Sequence, residues 1–182
     1  HSANDHFRSD PALAEFDFTC QPPLESQLVD YCDEICYSYS DLDDALEAGF
    51  ITLECILGEL DDFQGGYDQL RRRYPRADAR LIFNETLRRT MNNTVRDMTA
   101  TIKRNLAEAG IQTVADVRRC HDRLVSYSKD MGRWILRLKQ FLRAHYYQHP
   151  EIHDRRQVET EKIRRLFECY SGNPERLPSR YR

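Results

Sequence analysis

Basic residues are missing from a long stretch near the start of the sequence. Between Ser9 and Leu70 there is no Lys or Arg, although 16 Asp and Glu occur there. From Arg71 to Arg182 there are 26 Lys and Arg against 13 Asp and Glu. Segments of such opposite charge either attract each other or each face a partner of opposite sign. A further alternative is that most of these charges lie on solvated helix faces.

Glycine and proline are scarce, with 7 of each among 182 residues, while 40% of the residues are hydrophobic. This composition favours a compact helical domain over a disordered chain, and the length is sufficient for one domain with its own core. No apolar run approaches the roughly 20 residues of a membrane span, so we expect no membrane segment.

The sequence also lacks a disulfide framework. Its 6 cysteines form no Cys-X-X-Cys pair and no regular spacing, which indicates a reducing, cytoplasmic location. Cys32 and Cys36 lie one helical turn apart, and we expect two buried thiols there rather than a two-thiol metal site.

Hydrophobic periodicity and helix-ending residues predict an all-α multi-helix bundle. We expect an irregular entry segment at 1–23 and one helical domain at 24–182, divided into a helix pair (24–61), a connector (62–77) and a long-helix bundle (78–182). The predicted helices are 11–16 (a short turn), 24–48, 50–60, 67–74, 78–109, one starting at Thr113, 131–149 and 150–172. Gly49 and Gly110 are expected to end the helices that precede them, and Gly65-Gly66 to break the chain between the helices at 50–60 and 67–74.

Three side chains in the first long helix stand out. Asp33, Tyr37 and Asp41 are four residues apart, a spacing that places them on one helix face. We call this set the ladder. Its carboxylate, phenol and carboxylate can hold a metal, pack against a flat group and accept a hydrogen bond. Structural roles remain as alternatives: Tyr37 could be a tyrosine of the core, and Asp41 could cap a helix or form an ion pair.

The surrounding segment, QLVDYCDEICYSYSDLDDALEAGFIT, resembles the deoxynucleoside triphosphate triphosphohydrolases (dGTPase-like) of the HD superfamily. The shared pattern is Asp-Glu-Ile-Cys-Tyr at 33–37 and Asp-Leu-Asp-Asp-Ala-Leu at 41–46. The stretches at 136–152 and 163–178 are similar to the C-terminal end of the same family. Ser40 and Ala45 depart from the His and Gly that relatives often have. The resemblance implies the C-terminal helical part of an HD-type phosphohydrolase.

The resemblance also implies a role for each ladder residue. Asp33 would be the last of four metal ligands, Tyr37 would lie against the deoxyribose, and Asp41 would bind the sugar 3′-hydroxyl. Arg88 and Arg89 match a basic pair near substrate phosphates or a regulatory nucleotide. The implied reaction hydrolyses a deoxynucleoside triphosphate (dGTP or another dNTP) to deoxynucleoside and inorganic triphosphate.

The implied cofactor is a divalent metal, with Mn or Mg favoured over Fe, Co, Ni or Zn. One carboxylate cannot hold such a metal, and the dipeptides His121-Asp122 and His153-Asp154 follow the ladder in Arg-rich surroundings instead of preceding it. We therefore expect the missing His and His-Asp ligands in an N-terminal HD-motif half of the same protein, preceding His1, which would end one of its helices.

Further implied partners are copies of the same chain in a homo-oligomer and single-stranded DNA. Two alternatives remain from the sequence. One is another HD phosphohydrolase, such as a nucleotidase or phosphodiesterase. The other is a non-catalytic helical module for oligomerisation or for binding single-stranded nucleic acid, with the basic second half as its surface.

Overall fold

Seven α-helices and one π-helical turn form most of the structure, a computed structural model that describes residues 11–13 and 19–181. Those residues contain no β-strand, so the predicted all-α class is confirmed. His1 and residues 14–16 of the short turn expected at 11–16 lie outside the described residues. The helices are α1 (Leu24–Glu47), α2 (Leu53–Glu59), α3 (Asp61–Arg73), α4 (Ala79–Glu108), α5 (Val114–Arg119), α6 (Lys129–Leu142) and α7 (Pro150–Gly172), with the π-helical turn at Arg143–Tyr147.

Helix α1 buries one face in the core. Ile35, Tyr39 and Leu42 recur at the helical spacing and are at most 2% exposed, so this face packs as an amphipathic helix should. The Tyr39 hydroxyl lies 2.7 Å from the Thr94 hydroxyl of α4 and accepts a 2.9 Å hydrogen bond from the Trp134 indole N–H of α6. One buried phenol therefore joins three helices.

Ion pairs connect the acidic and the basic segments. Arg80 of α4 lies 2.7 Å from Asp43 and 2.9 Å from Glu47 of α1, and Lys139 of α6 lies 2.7 Å from Glu34. Further pairs between the segments are Arg123–Asp30 and Arg137–Asp61. Attraction between the two segments, one of the alternatives drawn from the charge asymmetry, is therefore confirmed for these residues.

Most predicted helix limits agree with the structure. Helices α1, α4 and α7 begin and end within one residue of their predicted limits. Gly49 and Gly110 follow α1 and α4 with φ of 74° and 64°, the left-handed conformation typical of glycine after a helix. At Thr113 the predicted capping box is present, because its hydroxyl and the Asp116 carboxylate bind each other's backbone N–H groups.

The predicted break at Gly65-Gly66 is wrong, because both glycines lie inside α3. The chain instead bends at Leu60, between α2 and α3. Phe63, Tyr67 and Leu70 of α3 are buried, and burying large side chains outweighs the roughly 1 kcal/mol that each glycine costs a helix. The helix predicted at 50–60 is also shorter, starting at Leu53 with Thr52 as its cap.

The helix predicted at 131–149 also differs. Its α-helical part ends at Leu142, and the π-helical turn follows, with the Gln148 N–H donating to the Arg143 carbonyl. The expectation of buried thiols at Cys32 and Cys36 is wrong as well. Both are exposed, and neither forms a disulfide.

None of the helices in the described part combines the length and the apolar character that crossing a membrane requires.

Candidate functional site

The ladder lies on the side of α1 that the core leaves open. Tyr37 is 62% exposed, Asp33 is exposed and Asp41 is half-buried. Among the described residues Asp33 has no ion pair and no side-chain hydrogen bond, although other acids of α1 are paired with Arg or Lys. An exposed, unpaired carboxylate beside an exposed phenol is available to a ligand.

A groove of about 900 Å³ runs beside Asp33 and Tyr37, and we call it the ladder groove. Helix α1 forms one wall. The end of α6, the π-helical turn and the start of α7 form the other. The lining residues beside Asp33 and Tyr37 are Asp30, Glu34, Ser38, Leu136, Lys139, Gln140, Arg143, Tyr147, Gln148 and Arg156.

The two walls of the ladder groove carry opposite charges. The α1 wall has three carboxylates, and the facing wall has Lys139, Arg143 and Arg156. Lys139 is paired with Glu34, and the Arg156 guanidinium lies 5.7 Å from the centre of the Tyr147 ring. The groove therefore offers the unpaired Asp33 carboxylate to a cation on one side, and Arg143 and Arg156 to an anion on the other, with Lys139 beside them in its pair with Glu34.

Asp41 is connected to the groove by Tyr147, which lines it. The Tyr147 hydroxyl donates a short hydrogen bond to Asp41 Oδ2, joining the π-helical turn to α1. Burial is the main cause, and this hydrogen bond the second, of a pKa for the Tyr147 phenol above its usual range. The phenol therefore remains a proton donor at neutral pH, with Asp41 as the acceptor.

Arg88 and Arg89 do not line the ladder groove. Both guanidinium groups bind Glu85, at 2.8 and 2.7 Å, and these bonds lower the pKa of that carboxyl group to about 2. Arg89 lines a different cavity, of about 430 Å³, between α3, α4 and the start of α6. The structure brings Asp33, Tyr37 and Asp41 together and places the arginine pair elsewhere.

Asp33 suits one oxygen ligand of a divalent metal, since it is an unpaired carboxylate that lines the groove. The described residues place no group of three metal-binding side chains around it. His121 is almost fully exposed beside Asp122, and His153 contacts Gln157. Neither dipeptide lies at the groove, so the described residues offer Asp33 as a partial metal site.

Sequence reasoning missed the basic wall of the groove. Lys139, Arg143 and Tyr147 lie in LRLKQFLRAHYYQHPEI, which carried the C-terminal resemblance but no predicted role. The signal that could have found these residues was a cluster of basic residues and tyrosines at the point where the apolar periodicity of the helix ends. Their placement opposite α1, about 100 residues away in sequence, depends on tertiary packing.

Comparison with known proteins also identifies the C-terminal segment that forms the basic wall. Residues 125–182 match the phosphohydrolase-associated domain family, HD_assoc. A deoxyguanosinetriphosphate triphosphohydrolase-like protein of Azoarcus sp. is 38% identical over 165 residues, which are 88% of this chain and 42% of the relative. The Bordetella pertussis protein of the same description is 35% identical over 100% of this chain and 47% of its own length. The resemblance to the dGTPase-like family is confirmed.

The similarity extends across both walls of the ladder groove. The HD_assoc match contains the basic wall, and the Bordetella pertussis relative also covers α1 and its ladder. A relative from Geobacter sulfurreducens, also described as deoxyguanosinetriphosphate triphosphohydrolase-like, is 32% identical over 88% of the chain. The chain spans less than half the length of these relatives.

Proposed function

We propose that this chain is part of a metal-dependent dNTP triphosphohydrolase, which converts a deoxynucleoside triphosphate and water to deoxynucleoside and inorganic triphosphate. The ladder groove is the observation that carries the proposal. It combines an unpaired carboxylate, an exposed phenol and a wall of three cations, and such a combination suits a metal, a sugar and a polyphosphate at neighbouring positions. The family resemblance supports the same reaction class.

In this proposal Asp33 is one ligand of a divalent metal, with Mn or Mg favoured. When bound, such a metal activates water for attack on the α-phosphorus and neutralises phosphate charge. The remaining His and Asp ligands come from an HD-motif half of the same protein. Lys139, Arg143 and Arg156 hold the triphosphate, because arginine and lysine offer charge-assisted hydrogen bonds to phosphate oxygens.

Tyr37, Asp41 and Tyr147 select the sugar. A Tyr37 ring against C2′ leaves no room for a ribose 2′-hydroxyl, which excludes ribonucleotides. Asp41 accepts a hydrogen bond from the 3′-hydroxyl while the protonated Tyr147 donates to Asp41. An analogue without the 3′-hydroxyl leaves a half-buried acceptor incompletely paired, so it binds less tightly.

The test uses the polypeptide encoded by the gene that contains this segment, with Mn or Mg and each dNTP and rNTP, and measures released inorganic triphosphate. We expect triphosphate from dNTPs only. Asp33→Ala should reduce the rate by at least about 100-fold, because a metal ligand is lost. Tyr37→Ala should admit ribonucleotides.

Asp44→Ala is the matched control. Asp44 is an exposed aspartate of the same helix that does not line the groove, so this variant should keep the parent rate. Release of triphosphate at equal rates by Asp33→Ala and Asp44→Ala would contradict the proposal, and so would the absence of triphosphate release by the parent protein under every condition.

We also propose that Arg88 and Arg89 bind substrate phosphates or a regulatory nucleotide, with Arg89 lining the cavity between α3, α4 and α6. A cytoplasmic location suits the proposed substrate and the exposed thiols of Cys32 and Cys36, and a homo-oligomer is part of the same proposal.

A second candidate function is binding of single-stranded nucleic acid, which the end of α3 favours. Arg71, Arg72 and Arg73 form its last turn, are exposed, and have no acidic partner among the described residues. Salt-dependent binding of a single-stranded oligonucleotide should survive Asp33→Ala and weaken in Arg72→Gln/Arg73→Gln. An unchanged affinity in the arginine variant would exclude this surface.

A further inference from the structure

A cysteine, a glutamate and a histidine converge outside the ladder groove. Cys55 and Glu59 are four residues apart on α2, and His145 belongs to the π-helical turn. One ligand atom from each lies within 4.8 Å of the other two. In the described part of the chain this is the one group of three metal-binding side chains that meets this criterion.

The helical scaffold explains why these side chains meet. A spacing of four residues places Cys55 and Glu59 on one face of α2. The Thr52 side chain accepts a 3.2 Å hydrogen bond from the Cys55 N–H, which caps the helix, and Ile56 and Leu60 are at most 1% exposed. The helix that presents Cys55 and Glu59 is therefore anchored in the core.

His145 approaches from the opposite side. Its Nε2 lies 3.0 Å from the Glu59 carboxylate, and its Nδ1 lies 3.9 Å from Cys55 Sγ. The Phe141 ring, centred 4.7 Å from the imidazole, packs beside it. π-Helical turns are rare and are found frequently at functional sites, so the conformation that presents His145 is a second observation at this cluster.

We propose that Cys55, Glu59 and His145 bind a Zn²⁺-class cation, with a water molecule in the fourth position. In a tetrahedral zinc site, neighbouring ligand atoms are roughly 3.3–3.6 Å apart, given bonds of about 2.0–2.3 Å. The observed separations of 3.7 Å between Cys55 Sγ and Glu59 Oε1 and 3.9 Å between Cys55 Sγ and His145 Nδ1 are close to these.

The ligand chemistry selects the cation. Thiolate and imidazole suit Zn²⁺ and Co²⁺, whereas Mg²⁺ prefers an all-oxygen shell. Binding replaces the Cys55 thiol proton with the metal and releases that proton to solvent, while His145 binds as the neutral imidazole. Glu59 and His145 are half-exposed, with side chains 52% and 33% accessible, so the cation has a path from solvent.

This site is distinct from the ladder groove. None of its three residues lines that groove, and the proposal does not depend on dNTP hydrolysis. The π-helical turn nevertheless serves both places, because Arg143 and Tyr147 line the groove while His145 contacts Glu59. A cation at His145 would therefore hold the turn that carries part of the basic wall.

The test titrates the metal-free 182-residue chain with Zn²⁺ against a chromophoric chelator and repeats the titration with Co²⁺. We expect one equivalent of Zn²⁺ to bind, and Co²⁺ to produce the near-ultraviolet charge-transfer band of a thiolate ligand. Cys55→Ser and His145→Ala should each weaken Zn²⁺ binding by at least about 100-fold. Even the loss of a residue that only hydrogen-bonds a metal ligand lowers metal affinity by about 10- to 100-fold. Cys55→Ser should also abolish the band.

Three control variants separate this site from other thiols and imidazoles. Cys169→Ser and His153→Ala, both on α7, should leave the affinity within about twofold of the parent, and so should Cys32→Ser/Cys36→Ser. Circular dichroism without metal verifies that each variant is folded, and Glu59→Gln provides an isosteric third test. Absence of stoichiometric binding by the parent chain, or equal losses in test and control variants, would overturn the proposal.

Discussion

The Tyr39 hydroxyl is a buried polar group at which three helices meet. It lies 2.7 Å from the Thr94 hydroxyl and accepts a bond from the Trp134 indole N–H. Burial raises the pKa of this phenol above its ordinary value despite both hydrogen bonds, so it remains protonated at neutral pH. The group stabilises the fold and has no contact with the ladder groove.

We expect Tyr39→Phe to lower the free energy of unfolding by about 1–3 kcal/mol, because the buried Trp134 N–H loses its acceptor. Urea denaturation measures the change. Tyr37→Phe removes an exposed hydroxyl two residues away, on the open side of the same helix, and should change stability by less than about 0.5 kcal/mol. Equal effects of the two variants would show that the buried hydrogen bonds contribute nothing.

At the scale of single residues, the sequence indicated half of the candidate site. The ladder follows from a spacing of four on a helix whose limits could be predicted. The facing side chains Lys139, Arg143 and Tyr147 could not be placed, since no local pattern specifies which distant segment packs against α1. The roles of the ladder residues themselves remain proposals.

Helix α3 shows how packing can override a local signal. Two adjacent glycines in its middle predict a break, yet the helix continues through both because its buried face packs against α4. A Cβ added to Gly65 would meet nothing within 4 Å, whereas one on Gly66 would lie 3.4 Å from the Thr86 methyl group. Gly65 therefore costs helix stability without a packing need.

We expect Gly65→Ala to raise the free energy of unfolding by about 0.5–1 kcal/mol, because alanine loses less backbone entropy in a helix. Gly49→Ala should lower it by about 1–2 kcal/mol, because Gly49 has a left-handed φ of 74°, which alanine adopts at that cost. Both sites have open space for a Cβ. Chemical denaturation of both variants tests the expected opposite signs.

Across the whole molecule, opposite charges bring the two segments of the chain together. Arg80 joins α4 to Asp43 and Glu47 of α1, while Arg164 pairs with Glu161 and Glu168 of its own helix. Pairs of the first kind connect residues far apart in sequence. Pairs of the second kind support a single helix, as the solvated-face alternative expects.

We expect Arg80→Gln to lower the free energy of unfolding by about 1 kcal/mol at low salt, since it removes a cation shared by two carboxylates. The difference should shrink in high salt as the charges are screened. Arg164→Gln is the matched control, and its effect should be smaller than that of Arg80→Gln because its pairs lie within one helix. A larger effect of Arg164→Gln than of Arg80→Gln would contradict the distinction between pairs that join the two segments and pairs within one helix.

The sequence by itself determined the all-α class, the limits of α1, α4 and α7, the caps at Gly49, Gly110 and Thr113, and the shared face of the ladder residues. Each of these depends on interactions between residues a few positions apart, which a one-dimensional pattern records. The composition also offered attraction between the two segments as one alternative, although not which residues pair.

Only the tertiary structure decided the continuity of α3, the π-helical turn, the basic wall opposite the ladder and the meeting of Cys55 and Glu59 with His145. The basic wall and the Cys55, Glu59 and His145 cluster join residues tens of positions apart, and the continuity of α3 depends on burial and contacts between helices rather than on local propensity. Local patterns predict helices, whereas packing decides which of their faces meet and which chemical groups therefore share a site.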